Sequence, residues 1–247
     1  MSELPPEHIS IEQARRAFEE EISILAHDLA GPLARIINCL QLSKDLLAAQ
    51  ELSAIPQLLD IALVSVQGQL RNIELLQDIT RMLNGLKKPP LGKAELVPAL
   101  EAALAELQEL IIEAEANCST SIPADLPATC ADQEVLTRIC FNLLENALRH
   151  VPKGGTIRVT ASYEVDTVRV CVADNGKGVA EEHRERIFEK FYRVSSSQVR
   201  GRRGMGLGLT FAKLAVEGYG GALWLESPAQ GGAVFCFRLP ASHEVQT

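Results

Sequence analysis

From residue 18 onward, apolar side chains return in steps of three and four: Phe18, Ile22, Leu25, Leu29, Leu33, Ile36, Leu40 and Leu47. Such steps trace one stripe along a helix. Ser10-x-x-Gln13 has the form of a capping box and sets the expected helix start near residue 10. After a break near Ala49 to Ser53, a second stripe follows: Leu59, Leu63, Val66, Leu70 and Ile73, continued by Leu76, Ile79, Leu83 and Leu86. Two long helices joined by a short turn make an antiparallel hairpin. A lone hairpin leaves its apolar seam in water, whereas two copies close it as a four-helix bundle, so a homodimer is expected. Lys87-Lys88-Pro89-Pro90 then stops the helical pattern, because the double proline cannot continue a helix.

The remainder mixes short alternating runs with helical ones. A helix is expected from Glu95 to about Ala116, then extended pieces at Thr120–Ile122 and Ala128–Cys130. Asp132 can cap a helix reaching about His150. Thr156–Tyr163 and Thr167–Ala173 alternate like paired strands. Gly208–Tyr219 reads as a helix, and Ala222–Glu226 with Ala233–Leu239 as a closing hairpin. The expected fold class is multidomain: an all-α two-helix hairpin in a dimeric four-helix bundle, then an α+β sandwich. The expected boundaries are a tail 1–9, the hairpin 10–88, a linker 89–91, the second domain 92–240 and a tail 241–247.

The 247 residues are 47% apolar, enough for real cores, and the net charge of −8 argues against nucleic acid as the main partner. No apolar run reaches the roughly 18 residues that span a bilayer, and the N-terminus lacks a signal-peptide layout. The expected location is cytoplasmic. Cys39, Cys118, Cys130, Cys140, Cys171 and Cys236 form no Cys-x-x-Cys pair, and are expected to be reduced thiols in apolar surroundings, with some redox role as the alternative.

Five short blocks carry the chemistry. His27 with Asp28 falls off the first apolar stripe, so the imidazole should face solvent. There its neutral form offers a lone pair, and Asp28 can orient the ring or take its proton. Pro32 removes one helical hydrogen bond and should kink the helix beside it. Asn142 and Asn146 lie four apart on one helical face, where amide oxygens can hold Mg²⁺ and amide nitrogens can reach phosphate. Arg149 and His150 extend that segment with further phosphate-reaching groups. Asp174-Asn175-Gly176-Lys177-Gly178 follows a strand. A carboxylate there can accept from the amine of adenine while Gly176 and Gly178 let the backbone approach the purine. Phe188 to Arg193 places aromatics, Phe191 among them, beneath a serine- and arginine-rich stretch, Val194–Arg203. That stretch reads as a lid, with Arg193 aimed at phosphate and Arg200, Arg202 and Arg203 either answering phosphate or simply solvated. Gly204-Met205-Gly206-Leu207-Gly208 opens a helix whose free N–H groups form an anion site. It lacks the dinucleotide spacing and the Lys-Ser/Thr of a P-loop.

In this order and spacing the blocks resemble the catalytic core of a two-component sensor histidine kinase, from about Ser10 to Pro240. The resemblance implies a Bergerat (GHKL-type) ATP-binding domain with ATP and Mg²⁺ as cofactors. It implies Asn146 as the main Mg²⁺ ligand, with Asn142 in support, and Asp174 as the adenine-specifying residue. His27 would take the γ-phosphoryl group and pass it to an aspartate of a response regulator. Arg35, Asn38, Cys39 and Ser43 would be surface candidates for choosing that regulator. Gly31 stands where many members carry threonine or asparagine, which implies little phosphatase activity, and Met205 stands where threonine is frequent. Related ATP hydrolases place a glutamate base where this chain has Asn142, so transfer to His27 is favoured over hydrolysis. A phosphotransfer hub or a pseudokinase with an inactive ATP site is the alternative. The signal would come from a longer chain or from a separate sensor protein.

Overall fold

The computed structural model describes residues 6–84, 92–194, 205–228 and 231–242, with the side chains of 6–18, 20 and 21 set aside. The expected linker 89–91, Leu86, Arg200, Arg202, Arg203 and Gly204 lie outside the described residues. The chain divides into two units, the first reaching to Glu74 and including Met205, the second beginning at Leu75, within the second long helix. Among the described residues no helix is long and apolar enough to cross a membrane.

Helix α1 runs Pro6–Ala48 and α2 runs Ile55–Leu83. Ser10 is therefore inside α1 and its motif does not open the helix. Proline suits the first helical position, where its missing N–H is no loss. Gln50 turns the chain with a left-handed φ of 60°. In α1 the half-buried or buried stripe is Leu25, Leu29, Pro32, Ile36, Cys39, Ser43 and Leu46. Ile22, Leu33, Leu40 and Leu47, from the same apparent stripe, are exposed. The contrast is sharper in α2. Leu59, Leu63, Val66, Leu70 and Ile73 are all exposed, while Ala62 and Gln69 are buried. Hydropathy thus tracked the outward face of α2 as far as Ile73; beyond it, Leu76 is half-buried and Ile79 is 1% exposed.

One expectation fails here. Cys39 and Ser43 are 8% and 7% exposed, so they cannot meet a partner as surface residues. They continue the buried stripe from Ile36 at helical spacing, and the Ser43 hydroxyl donates to the Cys39 carbonyl at 2.8 Å. Arg35 and Asn38, off that stripe, are exposed.

The second unit holds α3 (Leu96–Glu106), α4 (Gln108–Ala114), β1 (Asn117–Ser121), α5 (Gln133–His150), β2 (Thr156–Glu164), β3 (Thr167–Asp174), α6 (Gly208–Gly218), β4 (Ala222–Glu226) and β5 (Ala233–Pro240). The single helix expected from Glu95 breaks at Leu107, and Glu115 ends α4 with a left-handed φ of 51°. Ala128–Cys130 forms no strand; Thr129 only bridges Ala94 and Ala241. Asp132 caps α5 as expected, accepting from the N–H groups of Glu134 and Val135 at 3.0 and 3.1 Å.

The five strands form one sheet in the order β1-β2-β3-β5-β4, with β1 parallel to β2 and the other pairs antiparallel. Alternation in β3 buries Val168, Val170, Val172 and Asp174. With Ile157, Phe235 and Phe237 they meet Leu136, Ile139, Leu143 and Phe211 of the helices, all under 2% exposed except Asp174. Fully burying such side chains contributes about 1.5–3 kcal/mol each, which fixes the strand register beneath α5 and α6. Cys171 and Cys236 do not remain thiols but are joined by a disulfide. They sit directly opposite each other across β3 and β5, a pairing set by register rather than by sequence spacing.

Candidate functional site

In the helical unit His27 is exposed, as its place off the stripe requires, and Asp28 beside it is half-buried. Pro32 lies within α1, one turn past Asp28. A Cβ added at Gly31 would meet nothing within 4 Å, so this side of the helix is open.

The second unit gathers the nucleotide blocks around α5. At its C-terminal end stands Asp174, the last residue of β3 and 8% exposed. Its Oδ1 accepts the Gly176 N–H at 2.8 Å. Burial raises the Asp174 pKa; the N–H groups of Gly176 and Ala233, and nearby His150, pull it back. The converse holds at His150, where burial lowers the pKa, Asp174 opposes the shift and Arg149 adds to it. Lowered from 6.5, the ring of His150, whose residue is otherwise exposed, is mostly neutral at pH 7 and so offers a hydrogen-bonding group instead of a fixed positive charge. Glycine is required where the backbones crowd. A Cβ at Gly176 would lie 2.5 Å from the His150 carbonyl oxygen, and one at Gly178 would lie 2.7 Å from that of Gly232. Asn175 fastens the loop by accepting the Thr156 N–H at 2.8 Å.

At the other end of the site, Asn142 is buried, and its amide donates to the Arg138 carbonyl at 2.7 Å. Its Oδ1 lies where a Cβ on Gly208, the first residue of α6, would come within 2.7 Å. Asn142 therefore seats the start of α6 against α5. Asn146, one turn further on, is half-buried. Its oxygen is a hard donor of the kind Mg²⁺ takes singly beside phosphates and water. Arg149 is engaged by Glu145 at 2.6 Å, which also turns Glu145 away from the asparagine face.

Phe191 is 6% exposed with a left-handed φ of 62°, and its neighbour Tyr192 bonds His183 at 2.7 Å. Gly206 (φ 68°) packs against this bend; a Cβ there would lie 2.8 Å from the Tyr192 carbonyl oxygen. Leu207 is 1% exposed, so only its backbone can face a ligand. Arg193 is exposed. Two residues that motif reading missed complete the frame. The Thr210 hydroxyl donates to the Phe188 carbonyl at 3.0 Å and ties α6 to the aromatic bend. Gly232, with φ 82°, packs so closely that a Cβ would strike the Asp174 carbonyl oxygen. The Gly231-Gly232 pair ahead of β5 was the signal available for it.

Residues 131–243 match the family model described as histidine kinase-, DNA gyrase B- and HSP90-like ATPase. The adaptive-response sensory kinase SasA of Synechococcus sp. (strain CC9311) is 32% identical over 236 residues, covering 91% of this chain and 57% of its own. SasA of Prochlorococcus marinus (strain MIT 9313) is 31% identical over 91% of this chain and 59% of its own. This chain thus spans rather more than half the length of the curated relatives it matches. Among solved structures, full-length ShkA in complex with AMPPNP superposes with a TM-score of 0.63 at 25% identity, covering 76% of this chain and 38% of ShkA. The Acinetobacter baumannii histidine kinase AdeS shares the fold with a TM-score of 0.67 at 16% identity, over 88% of this chain and 98% of AdeS.

Proposed function

We propose that this chain, which carries the catalytic core of a two-component histidine kinase, phosphorylates itself on His27 with ATP and hands the phosphoryl group to a response regulator. The observation that supports this most is the buried Asp174 carboxylate, braced by the Gly176 N–H where close backbone packing admits only glycine. Its remaining lone pairs can accept the exocyclic amine of adenine. The N–H groups at the start of α6, from Gly206 to Gly208, suit the phosphates. Asn146 would hold Mg²⁺ through its amide oxygen, and the ion would offset phosphate charge. His27 then attacks the γ-phosphorus: an N–P bond forms, the bond to the bridging oxygen breaks, and ADP departs. Asp28 orients the ring or takes its proton. The phosphoryl group passes next to an aspartate of the regulator's receiver domain, with Arg35 and Asn38 as exposed docking candidates. ATP and a receiver domain are both cytoplasmic, which is the compartment we assign. We assign the helical hairpin at 10–88 to phosphotransfer and pairing with a second copy, and 92–240 to ATP binding.

Incubation with γ-labelled ATP and Mg²⁺ tests the proposal. Acid-labile, alkali-stable label should appear on the wild type and vanish in His27→Gln. Asp174→Ala should lose both label and ADP binding. Persistent label on His27→Gln, or none on a wild type that binds ATP, overturns the assignment. Gly31 supplies no side chain to position a hydrolytic water, so regulator phosphate should be long-lived. Gly31→Thr fits without obstruction and should speed its loss, read as decay of labelled regulator.

A further inference from the structure

The outer face of the sheet carries a group that nucleotide binding does not use. Because Val168, Val170, Val172 and Asp174 of β3 are the buried set, Arg169, Cys171 and Ala173 point the other way. Cys171, half-buried, is bonded there to the fully buried Cys236 of β5. Cys236 has Cys171 as its register partner on one side and Trp224 on the other, so cystine and indole share a face. The Arg169 guanidinium approaches the Cys236 sulfur at 4.0 Å. Glu226 holds that guanidinium at 2.7 Å, and Glu164 stands 3.8 Å away.

This layout has the parts of a thiol–disulfide exchange site. Of the pair, only Cys171 is not fully buried, so it is the one a thiolate can approach. The sulfur that must leave is Cys236; its burial disfavours a thiolate, and the adjacent Arg169 guanidinium, itself shared with Glu226, offsets part of that cost. The cystine also sits on the ladder that ends in the site: Cys171 pairs with Cys236, and three steps along Asp174 pairs with Ala233. The Ala233 N–H helps hold the Asp174 carboxylate.

We propose that Cys171–Cys236 is a reversible redox site through which a dithiol reductant adjusts the nucleotide pocket. A reductant thiolate attacks the Cys171 sulfur, the Cys171–Cys236 bond breaks, and Cys236 leaves as thiolate. The reductant's second thiolate then attacks the mixed disulfide, closes the reductant's own disulfide and expels the Cys171 thiolate. Both cysteine thiolates end protonated, and two electrons have passed from dithiol to cystine. The redox site stands on geometry alone; its effect on the pocket rests on the nucleotide-binding reading.

The full chain is equilibrated in buffers of oxidised and reduced dithiothreitol, quenched in acid, unfolded, alkylated and mapped by mass spectrometry. Cys171 and Cys236 should become alkylatable together while circular dichroism stays native, and Cys140 should be labelled in every buffer. Trp224 is the chain's single tryptophan. Its emission should rise on reduction, because a neighbouring disulfide quenches indole. The Kd for ADP should rise about fivefold in the reduced form, the lower end of common coupling between linked sites. Cys171→Ser should show neither response. Thiols at Cys171 and Cys236 in every buffer, reduction only on unfolding, or one Kd in both redox states overturns the proposal. ADP failing to bind in either state overturns the nucleotide reading instead, and alkylation and emission still decide the redox pair.

Discussion

Asp174, which we propose reads adenine, is buried at the expense of stability. Its burial raises the pKa, so the ionised form is disfavoured in the folded chain. The sign follows from linkage: a group with a raised folded pKa contributes stability below its unfolded value of 3.8 and loses it as pH rises through the folded value. Asp174→Asn keeps an acceptor for the Gly176 N–H and removes the charge. It should therefore melt higher than wild type at pH 8, with the difference closing as pH approaches 4, while ADP affinity falls. Each kilocalorie relieved moves Tm by about 2–4 °C in a chain of this size. A difference that does not change with pH would sink this account. His150 has the opposite sign. Its lowered pKa contributes stability above the unfolded value of 6.5, lost as pH falls through the folded value. Gly232→Ala should be the harshest single change near the site, costing about 3 kcal/mol or more in thermal melts, because strain at a left-handed φ adds to a clash with Asp174. Asp174, Gly176 and Gly178 were legible because they are contiguous in sequence. Gly232 and Thr210 were not, since their partners arrive only through strand register and helix packing.

Among the elements, the β2–β3 hairpin carries a local conflict. Its two-residue turn is Val165-Asp166, with φ of 42° and 61°, and Val165 is 94% exposed. Turns of this kind favour Asn or Gly, and a β-branched residue at positive φ is strained. Val165→Asn should stabilise the second unit by about 1 kcal/mol, seen as a rise in Tm with ADP affinity unchanged. The strands around this turn were legible to within a residue, because alternation and Gly or Pro breaks both mark them. The break at Leu107 was not, since neither Gly nor Pro announces it. In α2 the periodicity was real but named the outer face up to Ile73, because Ala62, Ser65, Gly68 and Gln69 on the inner side carry little hydropathy; only at Leu76 and Ile79 does the stripe turn inward. The Cys171–Cys236 bond joins residues 65 apart and depends wholly on β3–β5 register.

At the scale of the molecule, that outer face is the surface on which the proposed pairing with a second copy rests. Leu33, Ile37, Leu40 and Leu47 line one side of α1, and Leu59, Leu63, Val66, Leu70 and Ile73 one side of α2, each 40–62% exposed. Burying the exposed part of each is worth about 1 kcal/mol, or about 18 kcal/mol over two copies, against an association cost of about 4–15 kcal/mol. The balance favours a stable pair built on the helical unit. Leu63→Asp with Leu70→Asp would place four carboxylates in the closed seam, at several kilocalories each. Light scattering should then drop from twice 26.9 kDa to a single 26.9 kDa, while ADP affinity, which belongs to the second unit, holds. If the double variant stays dimeric, the apolar stripes are not the interface. If ADP binding is lost with the dimer, the second unit does not stand alone. A monomer that still labels His27 would show transfer within one chain, and a monomer that binds ADP but takes no label would show that each copy phosphorylates the other.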